Sequence, residues 1–287
     1  MRFIKGHGTE NDFVILPDPD GVLDLAPDAV ARLCDRRAGI GADGVLRVVR
    51  TKAAGPGVES VAESAGESFA ESFADAEWFM DYRNADGSLA EMCGNGLRVF
   101  ARYLVDAGLA APGEWDVATR AGLRRVTLGA SGDVCVEMGQ AQLLGPSEAS
   151  LGGTVYQGER VSVGNPHLAC RVDGPVTALD LCRAPGFDPA VFPDGVNVEF
   201  FRFVGERHVE MRVYERGSGE TRSCGTGTVA VAAAAAASQG TIGASGTSDW
   251  TVDVPGGRVS VSLDGQAARL TGPAVLVAEG EAWPGWI

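Results

Sequence analysis

Two cysteines of this chain stand in closely similar surroundings. Cys93 follows Asn84 by nine residues and begins the sequence Cys-Gly-Asn-Gly, while Cys224 follows Glu215 by nine residues and begins Cys-Gly-Thr-Gly. A stretch with helical character follows each cysteine, so each thiol is expected at the N-terminus of a helix. The duplication constrains the fold because it indicates two similar halves that each present one thiol.

The segments around these loops predict the architecture of the halves. Residues 97–105 carry apolar side chains at helical spacing up to a stop at Gly108, and residues 228–237 are apolar on every side, which is typical of an enclosed helix. Short candidate strands punctuated by glycine surround both helices and favour antiparallel sheet. Further predictions are a helix at 27–36 with Ala29, Val30 and Leu33 inward, and strands near 3–5, 13–16, 45–49, 78–83, 124–128, 134–138, 160–163, 168–172, 196–203, 208–215, 250–254, 258–263 and 274–277.

The length of 287 residues, of which 45% are hydrophobic, allows two domains with their own cores. We place the N-terminal domain at 1–137, with 270–287 returning to it, and the C-terminal domain at 138–269. The predicted class is α+β, with each pseudo-symmetric domain a mostly antiparallel sheet or barrel around a central helix.

Composition narrows the classes of partner. The net charge of −14 argues against nucleic acid or an anionic membrane as the main partner, but it is compatible with a small zwitterionic ligand. The beginning of the chain has no signal-like apolar stretch, and the longest apolar run is too short to span a bilayer. Six cysteines without CxxC spacing suit a reducing compartment. We therefore expect a soluble, cytoplasmic protein.

Thiols at helix N-termini suit proton transfer. The unpaired N–H groups and the dipole of a helix N-terminus favour bound carboxylates and favour a thiolate over a thiol. Two such thiols on opposite faces of one α-carbon would allow racemisation or epimerisation, with backbone donors stabilising the developing negative charge. Pyridoxal phosphate is not required by this arrangement, and we expect no metal.

His167 and the pair Glu215-Arg216 have two interpretations each. His167, in Asn-Pro-His-Leu, could act as a base beside a cysteine or be a hydrogen-bonded strand residue. Glu215 and Arg216 could be an ordinary surface ion pair, but their place in the duplicated pattern favours a functional role.

Six ordered segments resemble the diaminopimelate epimerase family over nearly the whole chain. They are residues 7–13, 83–88, 93–96, 164–167, 195–197, and 215–216 with 224–227. The resemblance implies a cofactor-independent enzyme that interconverts LL- and meso-diaminopimelate in lysine and peptidoglycan precursor synthesis. It also implies two pseudo-symmetric domains with the site in the cleft between them, and a homodimer.

The resemblance assigns roles to individual residues. Cys93 and Cys224 would be the two acid/base thiols, assisted by His167 and Glu215. The backbone of Gly94, Asn95, Gly225 and Thr226 would hold the reacting carboxylate. The remaining substrate contacts would come from Asn11, Asn84, Asn165, Asn197, Glu215 and Arg216.

Two features depart from the family pattern. Many relatives have a glutamine that contacts substrate where Gly44 stands here, so position 44 is left out of the site. Residues 52–77, rich in Ala, Gly, Glu and Ser, have no counterpart that we can align, and their composition indicates a solvated surface insertion with a possible pairing of Phe69 and Phe73.

Other functions compete with epimerisation of diaminopimelate. A proline or hydroxyproline racemase-like enzyme would not need Asn84, Asn197 and Arg216 to hold a distal group. A thiol hydrolase that pairs one cysteine with His167 leaves the second cysteine unexplained. A redox-responsive amino-acid-binding protein would form a Cys93–Cys224 disulfide and bind without catalysis.

Overall fold

The computed structural model describes residues 1–55, 73, 76–129, 132–241, 247–265 and 267–286. The chain divides into two compact units, Met1–Val136 with Pro273–Ile287, and Glu137–Gly272. The described residues form 18 strands and three α-helices. None of these helices is long and apolar enough to cross a membrane.

The first unit is a sheet with two helices packed against it. Its strands pair in the order β18-β1-β2-β3-β4-β5-β6-β7, antiparallel except for the parallel pairs β2–β3 and β4–β5. The strands are β1 (Arg2–Gly8), β2 (Asn11–Pro17), β3 (Gly44–Arg50), β4 (Trp78–Asn84), β5 (Gly113–Thr119), β6 (Gly122–Leu128), β7 (Val134–Gln140, which begins in this unit) and β18 (Val275–Glu281). Helix α1 (Pro27–Cys34) lies between β2 and β3 in sequence, and helix α2 (Gly94–Asp106) follows β4.

Both helices of this unit follow the apolar spacing of the sequence. In α1, Ala29, Val30 and Leu33 are buried as predicted, but the helix ends at Cys34 because Asp35 leaves the helical region and its carboxylate accepts from the next N–H groups. In α2 the apolar positions of residues 97–104 have no exposed surface, and Gly108 follows the helix end with φ +68°. The predicted inward face and stop signal of α2 are therefore confirmed.

The second unit repeats the plan. Strands β9, β10, β12, β13, β15, β16 and β17 pair with one another in that order. The successive pairs are antiparallel, parallel, antiparallel, parallel, antiparallel and antiparallel, which is the same succession as in β1 to β7. Its strands are β8 (Gln142–Leu151), β9 (Thr154–Ser162), β10 (Pro166–Arg171), β11 (Gly186–Phe187), β12 (Asn197–Gly205), β13 (His208–Glu215), β14 (Gly219–Thr221), β15 (Thr247–Val254), β16 (Gly257–Asp264) and β17 (Ala267–Gly272). Helix α3 (Gly225–Ser238) follows β14.

Helix α3 is enclosed, as its composition predicts. Residues from Thr228 to Ala236 are all buried, so the helix has no polar face to present to solvent. Strands β9, β10, β12, β13 and β15 to β17 pack around it. Small alanine side chains let these strands approach the helix backbone closely, and the central-helix prediction is confirmed for this unit.

Several strands were not predicted. These are β5, β8, β14 and β17, which contain residues of weak strand propensity such as Gly, Ala, Asp, Glu, Gln or Pro, and hydrogen bonds to neighbouring strands outweigh that propensity. Most of the predicted insertion, including Phe69, lies outside the described residues. Phe73 is described, and its buried ring lies 6.2 Å from that of Phe79.

Candidate active site

Each cysteine of the duplicated motif caps a helix. Cys93 and Cys224 are both extended, and their Sγ atoms accept hydrogen bonds from the N–H groups of Gly96 at 3.3 Å and Gly227 at 3.4 Å. Sulfur thus takes the place that a serine oxygen fills in an ordinary N-cap. The predicted position of both thiols at helix N-termini is observed.

Steric packing explains the second glycine of each motif, Gly96 and Gly227. A Cβ on Gly96 would lie 3.1 Å from a methyl carbon of Leu46, and a Cβ on Gly227 would lie 2.6 Å from Oε1 of Glu199. The latter distance is too short for any real side chain. Glycine at position 227 therefore leaves room for the Glu199 carboxyl group, whereas a side chain at position 96 would need only a small shift of the Leu46 methyl group.

In the first unit, Asn11 and Asn95 meet at Cys93. Oδ1 of Asn11 accepts from Nδ2 of Asn95 at 3.2 Å and lies 3.7 Å from the Cys93 sulfur, which can donate to it. Nδ2 of Asn11 donates to Asp43 at 2.8 Å, and this fixes the amide with its oxygen towards the thiol. Three predicted site residues are thus brought together.

A charged network holds Asp43 and its neighbour Asp12. Arg36 donates to both carboxylates, and Lys5 donates to Asp12 at 2.6 Å. Burial opposes ionisation of Asp12, but Arg36 and Lys5 lower its pKa to about 2. Asn11 is therefore anchored to a hydrogen-bonded network of acidic and basic side chains.

A buried cation lies in helix α2. Arg98 has no exposed surface, and it donates to Thr9 Oγ1 and to the carbonyl of Pro273. Among the described residues, no carboxylate forms an ion pair with it and its Nη1 has no hydrogen-bond partner. Burial lowers its pKa to about 10, a shift that the charge of Cys93 opposes, so it remains a cation at neutral pH. A positive charge therefore lies close enough to the Cys93 thiol to interact with it.

In the second unit, four polar side chains form a chain of contacts that leads to Cys224. Nε2 of His167 lies 2.9 Å from Oδ1 of Asn165, whose Nδ2 donates to Thr226 Oγ1 at 3.4 Å. Thr226 Oγ1 is 3.6 Å from the Cys224 sulfur. On its other side, Nδ1 of His167 lies 2.7 Å from Oε1 of Glu199.

The charge around Cys224 differs from the expected thiolate environment. Burial, followed by the charges of Glu215 and Glu199, raises the pKa of Cys224 well above its ordinary value, and hydrogen bonds from Thr226 and Gly227 oppose this only partly. The helix N-terminus is present, but desolvation and two carboxylates outweigh it. The free protein therefore holds Cys224 as a thiol at neutral pH.

The remaining predicted residues lie at the ends of neighbouring strands. Asn84 ends β4 and donates to Ser88 within a turn at 3.0 Å. Oδ1 of Asn197, the first residue of β12, accepts from the backbone N–H of Arg216 at 2.9 Å. Glu215 ends β13 and accepts from the hydroxyl of Thr221. The structure thus joins Asn197 with Arg216, while Asn84 and Glu215 make local contacts.

The presence of glycine at position 44 is explained by steric packing that the sequence does not reveal. A Cβ at this position would lie 2.6 Å from the carbonyl oxygen of Arg83 and 2.7 Å from the ring of Tyr82. Any side chain would have to displace the neighbouring strand.

Glu199 is the main side chain that sequence reasoning missed. It stands in the strand pattern Val-Asn-Val-Glu-Phe-Phe, where an acidic residue is normally interpreted as pointing to solvent. The only available signal was its position two residues after Asn197. Among the described residues, no group of His, Cys, Asp and Glu side chains is arranged to hold a metal ion.

Comparison with known proteins identifies the family. The family model described as diaminopimelate epimerase matches residues 3–144 and 160–282. The diaminopimelate epimerase of Thermobifida fusca (strain YX) is 59% identical over 98% of this chain and 97% of its own length, and that of Rhodococcus jostii (strain RHA1) is 53% identical over 100% and 98%.

Solved structures show the same fold at low sequence identity. A hydroxyproline epimerase from Agrobacterium vitis has a TM-score of 0.63 at 14% identity and covers 98% of this chain and 91% of its own. A PhzF-family phenazine biosynthesis protein of Bacillus anthracis has a TM-score of 0.62 at 17% identity and covers 99% of both chains. These neighbours confirm the predicted two-domain, sheet-rich α+β class. With its duplicated cysteine caps and full-length matches, the chain belongs to the diaminopimelate epimerase family.

Proposed function

We propose that this protein is an isomerase that interconverts LL-2,6-diaminopimelate and meso-2,6-diaminopimelate, in the synthesis of lysine and peptidoglycan precursors. The observation that carries the proposal is the 59% identity to a diaminopimelate epimerase over 98% of the chain. Two helix-capping cysteines supply the acid and base that such a reaction needs. The proposed enzyme uses no cofactor and no metal.

The proposed step moves one proton on each face of an α-carbon. The Cys93 thiolate takes the α-proton, so that a C–H bond breaks and an S–H bond forms. The Cys224 thiol gives its proton to the opposite face, so that its S–H bond breaks and a new C–H bond forms with inverted configuration. Cys224 is the proposed acid in this direction because its pKa is raised, and Cys93 is the proposed base because the buried cation Arg98 lies in the helix that Cys93 caps.

The substrate carboxylate needs donors that meet the developing charge. We assign this role to the backbone of Gly94, Asn95, Gly225 and Thr226, the first residues of the two capped helices. Such N–H groups stabilise negative charge without having to reorganise during the reaction.

The other side chains are assigned to binding and proton movement. His167 and Glu215 would assist the cysteines. Recognition of the remaining polar groups, including the distal amino-acid centre, is assigned to Asn11, Asn84, Asn165, Asn197, Glu215 and Arg216.

The test is isotope exchange in D2O. Reduced protein free of pyridoxal phosphate, incubated with LL-diaminopimelate, should incorporate one deuterium at an α-carbon with formation of the meso isomer, followed by NMR. Cys93→Ser and Cys224→Ser should each abolish complete epimerisation. Absence of exchange in the reduced wild-type protein would reject the proposal, and exchange with trans-4-hydroxy-L-proline instead would favour the racemase-like alternative.

We also propose that the enzyme is a homodimer that acts in the cytoplasm. Among the described residues β18 pairs only with β1, and Val275, Val277 and Trp283 near it are exposed, so a second copy could add to this edge. The described cysteines are all free, which suits a reducing compartment. Sedimentation equilibrium that gives a monomer at micromolar concentration would reject the dimer.

A further inference from the structure

Glu199 is a buried carboxyl group that the proposed reaction does not use. Glu199 and His167 both have no exposed surface, and their contact of 2.7 Å between Oε1 and Nδ1 is the closest polar contact that either makes. Oε2 of Glu199 has no hydrogen-bond partner among the described residues. A fully ionised carboxylate left in this state would be costly, so the pair must neutralise its charge locally.

The hydrogen bonds determine where the protons can lie. Because Asn165 donates through Nδ2 to Thr226, its Oδ1 faces His167 and accepts from Nε2–H. A proton must also lie between Nδ1 of His167 and Oε1 of Glu199. The pair is then either imidazole with a neutral carboxylic acid or imidazolium with a carboxylate, and it has no net charge in both forms.

Charged groups from every neighbouring element act on Glu199. Burial raises its pKa, His167 in β10 lowers it, and Glu215 at the end of β13 raises it. The Cys170 thiol of β10, whose own pKa burial raises to about 12, stays neutral beside it. Cys224 at the start of α3 is the remaining acidic group, and the charge of Glu199 acts on it.

The carboxyl group also approaches the reactive thiol. A Cβ built on Gly227 would lie 2.6 Å from Oε1 of Glu199 and 3.3 Å from Sγ of Cys224. Both atoms therefore lie close to Gly227, in the first turn of α3. Any change in the charge of Glu199 is felt at the sulfur.

The first unit provides an internal comparison. In β2 and β3 the register pairs Phe13 with Gly44, whereas in β10 and β12 it pairs His167 with Asn197. Leu46 stands two residues after Gly44, as Glu199 stands two residues after Asn197, and a Cβ on Gly96 would meet Leu46 and Phe13. A phenyl ring and an isobutyl group thus fill the places of the imidazole and the carboxyl. The fold forms a cysteine-capped helix without the ionisable pair.

We propose that Glu199 is a positioning residue of the second unit: it holds one tautomer of His167, with Nε2–H directed at Asn165, and shares a proton with it so that the pair as a whole has no net charge. The proposal rests on the proposed epimerase function for its kinetic consequence. The tautomer of His167 and the proton that it shares with Glu199 are properties of the free protein and do not depend on that function.

The test compares three variants with a matched control. Glu199→Leu should lower kcat at least tenfold and change KM by less than about twofold. Glu199→Gln can still donate to Nδ1, so its kcat should be at least fivefold higher than that of Glu199→Leu. His167→Phe/Glu199→Leu reproduces the apolar pair of the first unit, and it should fold well because a buried polar pair is often replaceable by apolar groups. Glu210→Gln, at a carboxylate of β13 that pairs with Arg202, is the control and should keep wild-type kinetics.

Imidazole NMR separates the proposal from the assigned activity. Nitrogen-15 spectra of wild-type protein should show His167 with a protonated Nε2 and a deshielded proton between Nδ1 and Glu199, and Glu199→Leu should lose that proton. A double variant with wild-type kcat and pH profile would overturn the proposal, and so would an unchanged imidazole spectrum in Glu199→Leu. If the wild-type protein fails to epimerise diaminopimelate, the proposed function fails, while the spectra still decide the role of Glu199.

Discussion

Substitution of Cys224 by serine and by alanine separates the chemistry of the thiol from its role as a helix cap. The sulfur is 3.4 Å from the N–H of Gly227, which would lose its acceptor in Cys224→Ala. Serine keeps an acceptor at the same position and is among the preferred N-cap residues. Both variants remove the thiol that we propose as an acid and base.

The expected difference in stability follows from two contributions. Replacing an N-cap by alanine costs about 1 kcal/mol for oxygen caps, and a weaker sulfur acceptor places Cys224→Ala near the lower limit, at about 0.5 kcal/mol. Cys224 is only 6% exposed, so deleting its sulfur adds about 0.8 kcal/mol, the value for one buried methylene. We expect Cys224→Ala to lose about 1.3 kcal/mol, and Cys224→Ser to remain about 1 kcal/mol more stable than Cys224→Ala.

Denaturant unfolding under reducing conditions and calorimetry measure this difference, which corresponds to a Tm change of about 2–4 °C for a chain of this size class. Epimerisation should fall by about 10²–10⁴ in both variants, the usual contribution of a positioned acid or base. The exposed Cys182, changed to serine and to alanine, is the control and should show neither effect. Equal stability of the two Cys224 variants would refute the capping role, and retained turnover in either would refute the role of the thiol.

Three further outcomes are expected. Gly227→Ala should destabilise the protein more than Gly96→Ala, by about 1–2 kcal/mol in denaturant unfolding, because its Cβ meets a buried carboxyl oxygen at 2.6 Å rather than a methyl carbon at 3.1 Å; equal losses would contradict this packing. Alkylation of Cys224 by iodoacetamide should be slower at neutral pH than that of the exposed Cys182. Because the pKa of Cys224 is raised, its alkylation rate should still increase as the pH passes 9.0. A rate that reaches a plateau below that pH, measured by peptide mass spectrometry, would contradict the raised pKa. Asp81→Asn should cost about 3–5 kcal/mol, because three arginines, of which Arg47 is buried and Arg83 and Arg120 are half-buried, lose their shared carboxylate. Burial raises the pKa of Asp81, but the arginines lower it by more, so the net pKa lies below the ordinary value of 3.8. The contribution of Asp81 to the free energy of unfolding should therefore be present above pH 3.8 and be lost as the pH falls through the lower pKa of the folded state. A free energy of unfolding of the wild-type protein that does not change in acid would refute this.

Helix positions could be predicted well because they depend on local patterns. The apolar spacing after Cys93 and the continuous apolar run after Cys224 each determine a helix and the face it buries. The strands that were missed, such as β8 and β17, lack β-branched and aromatic residues apart from one threonine, and they form because neighbouring strands satisfy their backbone groups. Such pairing depends on residues distant in sequence and leaves little local signal.

The sequence predicted both cysteines at helix N-termini but not the charges that surround them. A helix N-terminus favours a thiolate, and on that ground both cysteines are expected to have a lowered pKa. At Cys224 burial and two carboxylates reverse the direction, and one of them, Glu199, was not part of the predicted site. Arg98 is likewise an ordinary helix residue in the sequence and a fully buried cation in the structure.

The sequence by itself determined the duplication, the two capping cysteines and the family, because motif spacing and residue type are properties of the chain. Only the tertiary structure decided how the two halves differ. It places Phe13 and Leu46 under one helix and His167 and Glu199 under the other, in equivalent positions of the same succession of strands. Burial and charge at a thiol depend on which distant side chains the strands bring beside it, and the pKa of that thiol follows from those neighbours.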